Sequence, residues 1–184
     1  MKKPLRIKIA GYLFRREFGK QNTQRKLITF DDAASIGILY DSTDEKDFEL
    51  VRKYVKEIRE QHHKEVLALG YYDQNELPPM RFSKLGLDFF TKKDLNWYYK
   101  PMASIVRNFT EREFDLLIDL HTGNSIPFQY IVAGSKARFK IGKYDRKATP
   151  FYDFMISTPE QMTLRQFIEQ VNHYLKSLRN DNKH

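Results

Sequence analysis

Four side chains with the capacity for chemistry stand where two hydrophobic runs end. Asp41 follows Ser35-Ile-Gly-Ile-Leu-Tyr40, and Asp44 comes three residues later. Asp119 and His121 stand at the end of Phe114-Asp-Leu-Leu-Ile-Asp-Leu120. Carboxylates grouped with an imidazole suit acid–base work or a divalent cation. Asp119 and His121 are two apart in extended chain, so they project the same way. The same residue types also cap loops and helix N-termini, which accounts for Asp41 and Asp119 without any chemistry. His121-Thr-Gly-Asn-Ser125 puts a serine and a histidine beside Asp119. A hydrolase triad needs its serine on a sharp turn with oxyanion donors, and no G-x-S-x-G occurs. A helix cap at Asn124 or Ser125 explains these residues equally well.

Several other chemistries lack their parts. The chain has no cysteine, which removes disulfides, thiolate catalysis and Cys-based zinc sites. No G-x-G-x-x-G follows the first apolar run, and no G-x-x-x-x-G-K-[ST] occurs, so the usual phosphate cradles are missing. Asp41-Ser-Thr-Asp44 resembles the aspartate loop of haloacid-dehalogenase-like phosphatases, but Thr43 stands where that loop carries its second Asp. His62-His63 reads as the solvated end of a helix, and His173 and His184 have no ligand-like partners. No cofactor and no metal is expected.

Charge is strongly segregated. The formal net charge is +8 over 184 residues. Residues 1–27 hold Lys2, Lys3, Arg6, Lys8, Arg15, Arg16, Lys20, Arg25 and Lys26 against the single acid Glu17, and the remainder is balanced. A basic arm on a neutral body suits an anionic partner. Cations near phosphates gain by releasing condensed counterions, and anionic lipid headgroups attract such a segment by Coulomb forces. Two further stretches mix basic and aromatic residues. One runs from Arg81 to Lys93 and on through Trp97-Tyr98-Tyr99-Lys100. The other is Lys136–Lys147, with Lys136, Arg138, Lys140, Lys143, Arg146 and Lys147. Aromatics stack on unpaired bases while cations hold phosphates. Alternation with Phe139 and Ile141 turns Arg138 and Lys140 outward, as on a guarded edge strand.

Alternating elements must position these residues. In the arm, a helix over about residues 5–19 places Leu5, Ile9, Tyr12 and Leu13 on one face and Ile7, Phe14 and Phe18 on the other. Strands follow at Ser35–Tyr40, Glu65–Gly70, Leu95–Tyr99, Phe114–Leu120, Ala137–Gly142 and Tyr152–Ile156. Residues 72–94 read as less regular. Ser42-Thr-Asp-Glu45 fits a capping box before a helix through Phe48, Val51, Tyr54, Val55 and Ile58. A short helix passes through Ile105, Val106 and Phe109, with Thr110 and Glu113 as a cap or turn. A buried helix covers 125–135. A last helix starts at Thr158-Pro159 and aligns Leu164, Phe167, Ile168, Val171, Leu175 and Leu178. Continuous apolar strands separated by helices imply a mostly parallel sheet covered on both faces. The expectation is one Rossmann-like three-layer α/β domain over 28–179, with a C-terminal helix. The basic arm of 1–27 precedes it and a frayed tail of 180–184 follows.

Phe114-Asp-Leu-Leu-Ile-Asp-Leu120, an apolar helix, and Ser135-Lys-Ala-Arg-Phe-Lys-Ile-Gly142 together resemble the N-terminal half of heptosyltransferase-type (GT-B) glycosyltransferases. That family has two Rossmann-like halves and binds its sugar-nucleotide mostly in the second. Tyr40-Asp41 replaces the family's Gly-Asp pair and only one half is present, so the resemblance implies the fold and speaks against the activity. The basic start, Ile36-Gly-Ile-Leu-Tyr-Asp41, Phe114-Asp-Leu-Leu-Ile118 and the closing helix resemble an uncharacterised family of small Bacteroidota proteins, over nearly the whole chain. That likeness implies no activity.

Three functions follow as expectations. The first is a non-enzymatic cytoplasmic binding protein that holds RNA or the ribosome with its arm, aided by Arg138, Lys140 and Lys143. The second is a small enzyme or ligand-binding domain using Asp41, Asp44, Asp119 and His121. The third is a peripheral membrane protein that inserts Leu5, Ile9, Tyr12 and Leu13 between anionic lipids. No run of about 18 apolar residues offers a membrane span. Arg6, Lys8, Arg15 and Arg16 interrupt any signal-peptide core. The sequence leaves the oligomeric state open.

Overall fold

The computed structural model describes residues 3–19, 27–81, 86–159 and 161–177. Six strands make one sheet: β1 (Ser35–Asp41), β2 (Glu65–Tyr72), β3 (Leu87–Thr91), β4 (Leu116–Asp119), β5 (Phe139–Lys143) and β6 (Phe154–Ile156). Every pairing is parallel, in the order β3-β2-β1-β4-β5-β6. The helices are α1 (Lys3–Phe18), α2 (Glu45–His62), α3 (Ser104–Glu111), α4 (Ile126–Gly134) and α5 (Leu164–Ser177). The fold is α/β and Rossmann-like, closed by a C-terminal helix. The chain builds outward from β1 to β2 and β3, then crosses back to lay β4 on the other side of β1. That reversal sets the carboxyl ends of β1 and β4 side by side, with Leu39 opposite Asp119. Open parallel sheets bind ligands at such a switch in strand order.

Both sheet faces are buried, which is why the strands read as unbroken apolar runs. Ile36, Ile38 and Tyr40 of β1 meet Phe48, Val51, Val55 and Ile58 of α2 and Phe167 and Val171 of α5. On the opposite face Leu39, Leu69 and Leu117 meet Val106 and Phe109 of α3 and Phe128, Ile131 and Val132 of α4. A glycine is needed at position 37, where a Cβ would lie 2.8 Å from the Phe114 ring.

The structure corrects several sequence expectations. Leu95–Tyr99 is not a strand. Asn96 Oδ1 accepts from the backbone N–H groups of Tyr98 and Lys100, curling the segment into a turn. The strand on that side is Leu87–Thr91, inside the stretch read as irregular. The cap of α2 is Asp44, which accepts from the amides of Lys46 and Asp47, while Ser42 donates to the Tyr71 carbonyl. Thr110 lies within α3 and donates to the Arg107 carbonyl. The last helix begins at Leu164, not at Thr158-Pro159, and Thr163 and Gln166 cap it reciprocally. Leu178 and the tail of 180–184 lie outside the described residues.

The helix expected in the arm is α1, and it is docked. Ala10 is fully buried. The Phe14 ring lies 5.2 Å from both Tyr130 of α4 and Phe151, in edge-on contact. Phe18 meets Tyr130 at 5.9 Å. Glu17 pairs with Lys100 at 2.7 Å, and Arg6 Nε donates to the Trp97 carbonyl over 2.7 Å. Phe14 and Phe18 thus form the docking stripe. Leu5 and Tyr12 face solvent, and Ile9 and Leu13 are half-buried.

Candidate functional site

At the carboxyl ends of β4 and β5 lies a crevice of about 440 Å³, lined among others by Asp119, His121, Asn124, Lys143, Arg146 and Tyr152. Asp119 ends β4 on the face covered by α4 and is only 4% exposed. Its Oδ2 accepts from the Tyr152 hydroxyl at 2.5 Å, and its Oδ1 from the His121 amide at 2.9 Å. Burial pushes the Asp119 carboxyl up to about 7, although both hydrogen bonds favour its ionised form. Burial likewise raises the Tyr152 hydroxyl, with Asp119 adding to the rise.

His121 stacks on Phe128, with centroids 4.1 Å apart and planes at 12°. Its Nε2 is buried without a hydrogen-bond partner. Burial pulls the imidazole down to about 4; Asp41 opposes that shift and Lys143 adds to it. The site therefore pairs a neutral imidazole with a carboxyl that titrates near neutrality. Such ordering marks acid–base or ligand-binding positions more often than bulk surface. Lys143 Nζ donates to the Thr122 carbonyl at 2.9 Å, which tethers it beside the crevice and leaves its other two donors. The N-terminus of α4 also faces the opening. Its cap residue, Ser125, makes no side-chain capping bond.

The structure gathers some of the sequence candidates and separates others. Asp119 and His121 line the crevice. Asp41 stands at the end of the neighbouring β1, close enough to act on His121, with its Oδ1 accepting from the Thr43 amide. Asp44 is spent on the α2 cap. Among the described residues no group of three acids or histidines is placed to hold a metal. Lys143, expected on a nucleic-acid patch, belongs to the crevice. Tyr152 carried no sequence signal beyond opening a strand; the pairing of β5 with β6 delivers it.

The basic residues also divide. Lys140 does not face outward. β5 is an interior strand, α4 covers this side of it, and Lys140 is 6% exposed with Nζ on the Val132 carbonyl at 2.9 Å. Burial pulls its amine down to about 8, against the pull of Asp153. Arg138 is exposed and bonded to Asp115 at 2.9 Å. In the aromatic stretch Arg81 is buried, stacked against Phe48 and Tyr72 and paired with Glu45. Phe89 and Phe90 are core residues, and among the described aromatic residues of this stretch only Trp97 is well exposed. On α1 the side chains of Lys8, Arg15 and Arg16 are exposed, while Arg6 covers the Tyr99 ring. Lys3 opens α1. Lys2, Lys20, Arg25 and Lys26 lie outside the described residues. No described helix is long and apolar enough to cross a membrane.

A model described as a family of unknown function, DUF6913, matches residues 6–178, and the chain belongs to that family. No curated protein and no solved structure matches it.

Proposed function

We propose that this family member is a non-enzymatic, cytoplasmic binding protein that holds RNA, with ribosomal RNA as the first target, on the outer face of its basic N-terminal segment. The observation that carries the reading is the charge: all of the net +8 resides in residues 1–27. The docking of α1 adds to it. Phe14 and Phe18 fix the helix to the body, so Lys8, Arg15 and Arg16 are held in place before a partner arrives. Preorganised cations lose less entropy on binding. Tyr12 is 61% exposed on the same helix, and Trp97 is 51% exposed where Arg6 meets the body, which supplies rings for stacking on unpaired bases. Lys140 has no part in this surface. Arg138 remains a peripheral contributor. The likeness to GT-B enzymes and to Bacteroidota proteins enters as a likeness of fold and family, without activity.

The test is anisotropy titration of a single-stranded RNA against salt, with the wild type and a Lys8→Glu, Arg15→Glu, Arg16→Glu variant. Each lost phosphate contact lowers the log–log salt slope by about 0.7. A loss of about 2 in slope is expected for the three positions. Ribosomal particles should also co-purify with the wild type in an RNase-sensitive manner. RNA binding with an unchanged slope in the variant overturns the reading. A second reading, peripheral attachment to anionic lipid, is favoured by the exposure of Leu5 and Tyr12 among those cations. Failure to sediment with phosphatidylserine vesicles at low salt removes it.

A further inference from the structure

We propose that the crevice at the ends of β4 and β5 is a separate binding site for a small molecule that carries an anionic group, phosphate or carboxylate, together with at least one hydroxyl. The inference is independent of RNA binding by α1. It starts from the cavity, whose volume of about 440 Å³ is that of a small-ligand site. Its polar groups are sorted by charge. Lys143 and Arg146 stand at the lining with Asp145 as the one acid outside the buried floor. Asp145 turns inward on its own loop, where Oδ1 accepts from the Lys147 amide.

The cavity also meets the positive end of α4, and its loop donors are unspent. Among the described residues the backbone N–H groups of Thr122, Gly123, Asn124 and Ser125 reach no protein acceptor. Cations and free amides converging on one hollow recognise an anion. The floor differs in kind. Asp119 and Tyr152 form a buried acceptor–donor pair at 2.5 Å. With the Tyr152 proton spent on Asp119, the oxygen lone pairs that remain accept from a ligand hydroxyl and offer nothing to a purely apolar body. His121 lies between the two regions, with Nε2 lacking a partner and Phe128 stacked behind it. Gly123 closes over it, since a Cβ at that position would lie 3.0 Å from Nε2. The loop thus packs tightly on the imidazole, and a bound anion on the loop amides would sit against the same ring.

The test is an amide chemical-shift titration of the full chain with four probes: ribose 5-phosphate, gluconate, inorganic phosphate and ribose. The expected result is saturable shifts in residues 121–128 and 143–146 with ribose 5-phosphate or gluconate. Whichever of the two binds assigns the anion. Inorganic phosphate and ribose should each bind at least about tenfold more weakly, since each lacks one half of the recognition. Lys143→Met keeps the stem of the side chain and should weaken binding at least about tenfold. Arg146→Ala, at an exposed position, gives a second variant that leaves the fold intact and should weaken it in the same direction. No saturable shifts with either polyol anion overturns the proposal. So do shifts confined to Lys8, Arg15 and Arg16, or shifts at the crevice unchanged in both variants.

Discussion

Replacing Asp119 by Asn should stabilise the protein at alkaline pH and leave it nearly unchanged in acid. In the fold the carboxyl titrates near 7, against an ordinary 3.8. One pKa unit is worth about 1.4 kcal/mol, so keeping Asp119 ionised in its buried position costs roughly 4 kcal/mol. Between pH 4 and 7 the folded protein binds more protons here than the unfolded chain. This group's contribution therefore weakens as pH rises through that window and stays low above it. Protonated Asp119 donates to the Tyr152 oxygen and accepts from the His121 amide. An Asn carboxamide makes the same two bonds, so the variant mimics the protonated state. His121 works in the opposite sense. Its folded value near 4 lies below the ordinary 6.5, so its contribution is complete above 6.5 and falls away as pH drops toward 4, by roughly 3 kcal/mol. The two effects nearly cancel in the wild type, which hides both. The difference between wild type and variant removes the His121 part. Urea unfolding at intervals between pH 4 and 8 should show that difference growing from near zero to a few kcal/mol in favour of the Asp119→Asn variant. A variant less stable than wild type at pH 8, by an amount independent of pH, would mean that Asp119 is ionised in the fold and the desolvation argument is wrong.

Other substitutions probe neighbouring claims. Tyr152→Phe removes a donor that holds Asp119 down, so the Asp119 pKa, followed by carboxyl NMR, should rise beyond 7 and stability at pH 8 should fall by about 1–3 kcal/mol. Lys140→Met should stabilise at pH 7 by about 1–2 kcal/mol. It relieves roughly 3 kcal/mol of desolvation and loses about one hydrogen bond, to Val132; the gain should shrink as pH rises from 8 toward 10.5, where the buried amine is neutral. The same variant should bind RNA as the wild type does. Phe14→Ala removes the ring wedged between Tyr130 and Phe151, at a cost of about 2 kcal/mol to docking, and α1 amides should lose hydrogen-exchange protection while β1 and β4 keep theirs.

The alternation of apolar runs and helical spacings was enough to read the α/β class, because a sheet covered on both faces leaves its strands uninterrupted. It was also enough to put Asp119 and His121 at a strand exit. The crevice itself was beyond local pattern. It depends on β5 lying beside β4 and on the chain entering β6, which brings Tyr152 to Asp119, 33 residues away. Lys140 shows the limit at one residue. Alternation places it opposite Phe139 and Ile141, but only the position of α4 decides whether that side is wet. Leu95–Tyr99 misled for a different reason: its aromatic residues favour a strand, and one Asn side chain bonded to two backbone amides outweighs them.

The docking of α1 has a consequence for how the protein is made. The helix leaves the ribosome well before the rings that receive it, Tyr130 and Phe151. At ordinary translation rates the interval is on the order of ten seconds. Throughout it, Phe14, Phe18 and the basic side chains around them have no body to rest on, and the nascent segment hangs as a cationic, aromatic tether next to ribosomal RNA. The docked position of α1 is thus settled only once α4 and Phe151 have been made and can receive it.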